Sequence, residues 1–538
     1  MSRSTLRLAL ALATGLVAVG ATPLLAEPIA VPVVTPKDLG DDDSGRLIVF
    51  AQKVEPGAKP QDAVDTSPFE PTGTAIAAIE VSSLKPGRTA IVGTDVDAFP
   101  AAWSTLAPGT YRIQAVFDRN HDYNYGGRGA GDLVSPVVEA RLPGPVPTLS
   151  LDREIAGQDF AAWLAALSPE ARAGIEPGLT SVEPLSVHSA ALSRFWGRDT
   201  AIEGWVALPP GYAKGGDTYP TVYSDGGFGS TSDSAHASAA RTAAMMAKGD
   251  LPPMIWVFLD HHIATGTHEF ADSANNGPWG TALTTEAIPA LEMKYRMDAR
   301  PSGRFLTGHS SGGWSTLWLQ VAYPKLFGGS WPTAPDPSDF HDFTNIDLYA
   351  PAANAYAGSD GKDRPLVRDD GKVVATFRQF AQLEAVLGPY GGQLASFDWV
   401  FSPKCPDGRP CPMFNRVTGK IDPAVVTYWR DHYDIAHIIA RDWARLKPDL
   451  DGKIHLTVGT ADTFYLNQSA ERLKAVLDGL GAKASFRFVP GRTHFDLYKE
   501  GDDRWALTKT MAKEMYAVAR PATATQYSGS PPPSTCCA

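Results

Sequence analysis

Hydrophobic and polar positions divide the chain into two unlike parts. From about Leu47 to Leu142, short apolar segments of β type, such as GRLIVFAQ and GTYRIQAVFD, alternate with turns rich in proline and glycine. This pattern predicts a small β-sandwich at residues 27–150, because no helical period of useful length interrupts it. Helical spacing of apolar residues in GQDFAAWLAALSPEARAGI then predicts a helical linker at residues 151–180.

After about Thr180, strand-like apolar runs alternate with longer helical segments. The strand candidates are YPTVYSDGG, PPMIWVFLD, GRFLTGHS, GKIHLTVGTAD and ASFRFVPG. Alternation of this kind is typical of a parallel sheet flanked by helices. The predicted fold class is therefore α/β, with an α/β domain at residues 181–520 that follows the small β-sandwich domain.

Composition and charge exclude several classes of protein. The 538 residues are 43% hydrophobic and 20% charged, which argues against wholesale disorder and against a membrane protein with many spans. A formal net charge of −11 argues against a protein that binds nucleic acid by tracking its phosphates. The length is sufficient for two domains.

The first residues have the pattern of a cleaved secretory signal. Two arginines precede an apolar run from Leu8 to about Val19, and small residues follow around Ala26. The run is short for a bilayer span, so we expect residues 1–26 to be removed and the mature chain, beginning near Glu27, to be periplasmic or secreted. An uncleaved anchor is the alternative. No later stretch is apolar enough to predict a membrane span after cleavage.

The chain has four cysteines. Cys405 and Cys411 lie in KCPDGRPC, whose ends could close into a small disulfide in an exported protein; two buried free thiols are the alternative. Cys536 and Cys537 lie in the tail SGSPPPSTCCA, and its proline and serine content predicts disorder for residues 521–538.

The segment RFLTGHSSGG predicts a nucleophilic serine. GHSSG matches G-x-S-x-G, the turn that exposes such a serine where a strand meets a helix. Ser310 follows a short strand candidate, and Gly308 and Gly312 allow strand and helix to approach closely. Apolar residues then recur at the spacing of a helix face: Trp314, Leu317, Trp318 and Val321. A structural turn alone is the alternative.

A serine needs a base, and the base needs an acid that orients it. In this class of fold the order along the chain is Ser, Asp, His, with each residue at the end of a strand. Asp462 ends GKIHLTVGTAD, and His494 ends SFRFVPGRTH, so they are the predicted acid and base. Asp336 in TAPDPSDF is the competing acid.

Two backbone amides are expected to bind the oxyanion of the reaction. One is the amide of Ser311, which follows the nucleophile. The other is predicted in the glycine-rich loop of TVYSDGGFGS, at Gly227 or Phe228. A plain turn is the alternative for this loop.

Together these segments resemble the putative-esterase family, which includes enterochelin esterases, esterase D and feruloyl-type carbohydrate esterases. The resemblance extends from about Thr180 to Arg520, and its motifs are ALPPGY, YPTVYSDGGFG, GHSSGGW, YPKLFGG, VGTADTFYL and VPGRTHFDLY. It implies an α/β-hydrolase domain that cleaves carboxylic esters through a serine acyl-enzyme, with no metal and no organic cofactor. The long stretch between nucleophile and acid indicates an insertion at about 335–450 that covers the active site.

Two further features bear on ligands. Asp272, Asn276, Trp279 and Trp314 lie near the motifs and are predicted to line the substrate pocket, although core packing is the alternative for the tryptophans. FDRNHDYNYGGRGAGD has Asx residues at alternate positions, as calcium loops do, but it lacks the glycine and glutamate of an EF-hand. An Asx-rich turn is the alternative there. The residues concerned are Asp118, Asn120, Asp122, Asn124 and Asp132.

The sequence thus predicts an exported serine hydrolase whose partner is a small-molecule or saccharide ester. An acyltransferase or peptidase with the same triad is the alternative within enzymes. A non-catalytic binding protein on this scaffold is the alternative outside them.

Overall fold

The computed structural model describes residues 27–37 and 43–522. The predicted signal at residues 1–26 lies outside the described residues, and so does the tail from residue 523 onward, with Cys536 and Cys537.

The N-terminal β region, residues 30–154, consists of two sheets that share one core. Its elements are β1 (Ala30–Val34), β2 (Asp43–Lys53), β3 (Thr74–Leu84), β4 (Thr89–Gly93), β5 (Ala98–Phe99), β6 (Gly109–Asp118), α1 (Tyr123–Gly126), β7 (Leu133–Val134), β8 (Val138–Leu142), β9 (Leu149–Ser150) and β10 (Arg153–Glu154). One sheet has the order β4-β1-β9, and the other has the order β10-β7-β6-β2-β3-β5, with β8 paired to β6. Val31 and Val92 of the first sheet share a buried cluster with Val49 and Phe117 of the second.

The α/β part begins with short helices and continues as an alternation of strands and helices. Its elements up to residue 333 are α2 (Phe160–Ala166), α3 (Pro169–Ala173), β11 (Val182–His188), α4 (Ala190–Trp196), β12 (Ala201–Ala207), β13 (Thr221–Asp225), α5 (Ser232–Lys248), β14 (Ile255–Leu259), β15 (His262–Ile263), β16 (Gly266–Thr267), β17 (Asp272–Ser273), β18 (Gly277–Pro278), α6 (Trp279–Ala282), α7 (Ile288–Lys294), β19 (Arg304–His309), α8 (Ser311–Ala322) and β20 (Gly329–Thr333).

Its remaining elements are β21 (Pro365–Asp369), β22 (Lys372–Thr376), α9 (Phe377–Leu387), α10 (Gln393–Phe401), α11 (Pro423–His432), α12 (Ile435–Leu450), β23 (His455–Gly459), α13 (Leu466–Gly479), β24 (Ser485–Val489) and α14 (Ala506–Ala519). The large sheet of the described residues has the order β11-β12-β14-β13-β19-β20-β23-β24. β11, β12 and β14 pair antiparallel, and the pairs from β14 to β24 are parallel. The α/β class predicted from the alternation is therefore confirmed.

The stretch between β20 and β23 contains the β21-β22 hairpin and helices α9 to α12. Cys405 and Cys411 form a disulfide within it, as the sequence predicts. Helix α9 starts at a capping box in which Thr376 and Gln379 satisfy each other's backbone amides. Among the described residues, no helix is both long enough and apolar enough to cross a bilayer.

Helix α9 joins the two parts of the molecule. Its Leu383 and Leu387 share a buried cluster with Phe50 and Val116, on the face of the larger β-region sheet that points away from the smaller one. The middle of β2 is therefore buried on both faces, which explains its unbroken apolar run LIVFA. The guanidinium of Arg46 donates hydrogen bonds of 2.9 and 2.7 Å to the carbonyl of Val386 at the end of the helix.

Three backbone segments meet at the junction of β19 and α8 with no room for side chains between them. A Cβ on Gly308 would overlap the carbonyl of Gly312, and a Cβ on Gly312 would overlap the carbonyls of Asp225 and Gly226. Strand β19, helix α8 and the loop after β13 therefore approach as closely as backbones can.

Because the overlap at Gly312 is with backbone, Gly312→Ala should lower the free energy of unfolding by about 3 kcal/mol. The comparison is Gly479→Ala in α13, where a Cβ would meet nothing within 4 Å and should be neutral or slightly stabilising. Urea unfolding at unchanged slope measures both. Equal midpoints for the two variants would contradict the close approach.

Candidate active site

Ser310 occupies a strained turn at the N-terminus of α8. Its backbone has φ 59° and ψ −123°, which places a residue with a side chain in a region that favours glycine. Two backbone hydrogen bonds hold this conformation. The amide of Ser310 donates to the carbonyl of Thr333 at 3.0 Å, and the carbonyl of Ser310 accepts from the amide of Asp336 at 3.2 Å. The Ser310 hydroxyl makes no hydrogen bond to the described residues, so it is free to meet a ligand.

His494 and Asp462 lie in the loops that follow β24 and β23. Nδ1 of His494 is 2.8 Å from Oδ2 of Asp462, and both side chains are buried. Because the carboxylate accepts, the hydrogen bond favours the tautomer of the neutral ring that has its proton on Nδ1, and in that tautomer Nε2 is the acceptor. The other Asp462 oxygen accepts from the amides of Phe464 and Leu466, so the carboxylate is fixed from both sides.

Asp336 has a different partner. Its carboxylate accepts a hydrogen bond of 2.7 Å from the hydroxyl of Ser311, and burial raises its pKa to about 6. The ring of His494 donates its hydrogen bond to Asp462. The geometry therefore favours Asp462 over Asp336 as the acid that orients the imidazole.

The glycine-rich loop after β13 faces Ser310. Gly227 and Phe228 line the same cavity as Ser310 and His494, and a Cβ on Gly227 would lie 3.3 Å from Cβ of Ser310. The amide of Ser311 is at the first turn of α8, where backbone N–H groups have no partner within the helix. Both predicted oxyanion amides thus belong to segments that adjoin the serine.

A buried ion pair supports that loop from behind. Nδ1 of His261 is 3.1 Å from Oδ2 of Asp225, and Nε2 is 3.3 Å from the carbonyl oxygen of Gly227. Burial, the largest single influence, lowers the pKa of His261, but the charge and hydrogen bond of Asp225 together with the charges of Glu269 and Asp260 raise it to about 9. The charged ring donates at both nitrogens. Since carbonyl and N–H point in opposite directions across a trans peptide, fixing the Gly227 carbonyl directs the N–H of Phe228 away from His261.

The cavity at Ser310 has a volume of about 520 Å³. Its lining includes Tyr125 and Phe69 of the N-terminal β region, Phe380 and Leu383 of α9, and Phe464 beside His494. Sequence reasoning assigned none of these residues to the cavity. Phe464 lies in VGTADTFYL and Tyr125 in the Asx-rich segment, but the other three belong to no motif, and the five come from distant parts of the chain. Sequence reasoning also missed His309, whose ring lies 4.3 Å from that of His494 and whose pKa is well below its usual range through burial and the neighbouring His494.

The four residues predicted to line the substrate pocket are not among those that line this cavity. Asp272 accepts hydrogen bonds from Thr281 and Tyr323. The Asn276 carbonyl accepts from the indole of Trp279, whose ring stacks on His268. Trp314 is fully buried in the core, stacked on Trp318. All four are near the motifs in the chain, but Asn276, Trp279 and Trp314 are buried in the protein, and Asp272 is exposed outside this cavity.

The Asx-rich loop brings together three of its five members. Carboxylate oxygens of Asp118, Asp122 and Asp132 lie within 4.8 Å of one another. The amide of Asn120 donates to the Ala130 carbonyl, and the amide of Asn124 donates to carbonyls at the end of α9. Both the calcium loop and the Asx-rich turn remain predictions from the sequence.

Glu384 lies in the wall of the cavity and accepts from the amide of Leu394 at 3.1 Å. Burial raises its pKa from 4.5 to about 7. Between these two values the folded chain binds a proton that the unfolded chain releases, so the free energy of unfolding falls as the pH rises through this window. From pH 5 to pH 8 the wild type should therefore lose about 2 kcal/mol relative to Glu384→Gln.

Urea unfolding at the two pH values measures this difference. Glu500→Gln, at an exposed site, is the control and should follow the wild type. A Glu384→Gln variant with the pH dependence of the wild type would show that this carboxyl is already charged in the folded chain at pH 5.

Comparison with known proteins identifies the family. The family model described as Putative esterase matches residues 197–507, more than half of the chain. Curated proteins gave no match. Among solved structures, a ferulic acid esterase is 14% identical with a TM-score of 0.38, and the match covers 63% of this chain and 98% of that one. An S-formylglutathione hydrolase from Agrobacterium tumefaciens is 15% identical with a TM-score of 0.35, covering 63% and 94%. The resemblance seen in the sequence is confirmed: the chain belongs to the putative esterase family.

Proposed function

We propose that the protein is an exported serine hydrolase that cleaves carboxylic esters through Ser310, His494 and Asp462. Family membership supports ester hydrolysis. The observation that carries the mechanism is the hydrogen bond between Asp462 and His494 beside a cavity that also contains the free hydroxyl of Ser310.

The chemistry follows from the atoms involved. Nε2 of His494 removes the proton of Ser310 as Oγ attacks the ester carbonyl, and Asp462 stabilises the imidazolium that forms. The negative oxygen of the tetrahedral intermediate is bound by the amides of Ser311 and of Gly227 or Phe228. His494 then returns the proton to the departing alcohol, and water releases the acid from the acyl-enzyme by the same steps.

Two finer features belong to the proposal. The basic and then apolar pattern of the first residues, with the disulfide at Cys405 and Cys411, supports export to the periplasm or the medium. N-terminal sequencing that begins near Glu27 would agree with this. The shared core of the two N-terminal sheets supports the predicted β-sandwich domain at residues 27–150.

Ser310→Ala should lower kcat for p-nitrophenyl acetate by about 10⁴-fold or more, because the nucleophile is removed. Ser311→Ala is a matched control in the same turn. It keeps the backbone amide and loses only the hydroxyl that bonds Asp336, so it should stay within about tenfold of the wild type. A fluorophosphonate probe should label the wild type and Ser311→Ala but not Ser310→Ala. Equal activity of both alanine variants would refute Ser310 as nucleophile.

Asp462→Asn should lower kcat by about 10³ to 10⁴-fold, because an amide in this place can hold the imidazole in the wrong tautomer. Asp336→Asn removes the competing acid and should cost less than about tenfold. Initial rates at saturating ester, near neutral pH, measure both. A larger loss of kcat for the Asp336 variant than for the Asp462 variant would show that Asp336 is the acid that orients His494.

A further inference from the structure

The cavity at Ser310 is closed by the N-terminal β region and not by the α/β part alone. Phe69 follows β2 in the chain, and Tyr125 lies in α1, yet both line the cavity together with Ser310 and His494. Helix α9, which packs on the β region, adds Phe380, Leu383 and Leu387 to the lining.

The two aromatic residues of the β region, Tyr125 and Phe69, have different contacts. The hydroxyl of Tyr125 donates to the Ser230 carbonyl at 2.9 Å, and its ring stacks on His262 at 4.0 Å and contacts Phe228 edge-on at 4.8 Å. Tyr125 therefore braces the loop that contains Gly227. Phe69 instead contacts the rings of Phe495, at 5.7 Å, and Phe464, at 6.1 Å.

Phe69 and Phe495 remain open to solvent at the mouth of the cavity. They are 44% and 67% exposed, although large apolar side chains in contact usually bury more of their surface. Phe464 and Phe495 also contact the ring of His494, at 4.9 and 5.3 Å. An exposed aromatic cluster that reaches the proposed base is a surface that a ligand can cover.

The charges around the cavity restrict the ligand. Among the described residues that line it, none is a lysine or an arginine. Its carboxyl groups are Asp65, which the hydroxyl of Tyr123 contacts, and Glu384, whose pKa burial raises to about 7. A carboxylate or phosphate on the ligand would lose its hydration there without gaining a cationic partner.

From this geometry we infer that Phe69, Phe464 and Phe495 form a subsite for a bulky, uncharged apolar group of the ester, and that Phe69 makes the N-terminal β region a determinant of specificity. The inference rests on the proposed function, because it places the group beside the Ser310 nucleophile. A volume of about 520 Å³ is sufficient for a group of ring size next to the scissile bond.

The test compares three esters in a pH-stat with the full chain. Ethyl acetate carries no ring, ethyl 3-phenylpropanoate carries one on the acyl side, and benzyl acetate carries one on the alcohol side. Phe69→Ala should lower kcat/KM for one of the two ring-bearing esters about tenfold and leave ethyl acetate within about twofold. The ester that responds tells whether the subsite takes the acyl or the alcohol part.

Phe195→Ala is the matched control, because Phe195 is 39% exposed and contacts Trp196 away from the cavity. It should leave all three esters within about twofold of the wild type. A carboxylate at the para position of the phenylpropanoate ring should lower kcat/KM of the wild type at least tenfold if the ring lies in the subsite on the acyl side. For the alcohol side the same substitution is made on benzyl acetate.

The outcomes separate this inference from the proposed function. If Ser310→Ala abolishes hydrolysis but Phe69→Ala changes all three esters by the same factor, or none of them, the subsite is refuted and the nucleophile stands. Full activity on the para-carboxylate would refute the uncharged character of the group. Absence of turnover of every ester, with no fluorophosphonate labelling of Ser310, would refute both proposals.

Discussion

The site depends on a close approach of three backbones around Ser310. Strand β19, helix α8 and the loop after β13 meet where Gly308 and Gly312 have no side chain, and Ser310 itself takes a positive φ. A conformation of this kind costs on the order of 1 to 3 kcal/mol and persists only where the surroundings fix it. Here the fixing bonds come from Thr333 and Asp336, at and after the end of the next strand. The backbone of Ser310 is therefore held in place by its hydrogen bonds to residues at and after the end of the neighbouring strand.

The close approach of the three backbones also places a buried ion pair behind the glycine-rich loop. Since Gly312 touches the end of β13, Asp225 is buried directly behind the glycine-rich loop, and it is accompanied there by His261. A buried carboxylate without a partner would be costly, whereas the charged imidazole both neutralises it and binds the Gly227 carbonyl. The orientation of the loop is thus set by a buried ion pair that bulk solvent screens little.

Much of this site could be predicted from local sequence, and the reason is geometric. In a parallel sheet the ends of successive strands share one edge, so GHSSG, Asp462 and His494 were bound to lie near each other once the strands were recognised. Strand β20, GSWPT, escaped recognition because Pro332 interrupts its pattern. The indoles of Trp279 and Trp314 look the same in sequence whether they face a pocket or a core, and here they face inward.

The cavity wall could not be predicted for a different reason. The contact between Phe69 and Phe495 joins residues that no motif relates, and it depends on the packing of the N-terminal β region against the α/β part, to which α9 contributes. The apolar contacts of α9 on the β2 sheet and the Arg46 bonds to its last turn fix that arrangement. Helix α9 belongs to the stretch between β20 and β23, and its Leu383 and Leu387 both line the cavity and pack on the β region. A change in the β region therefore reaches the shape of the cavity by two routes, through α9 and directly through Phe69 and Tyr125.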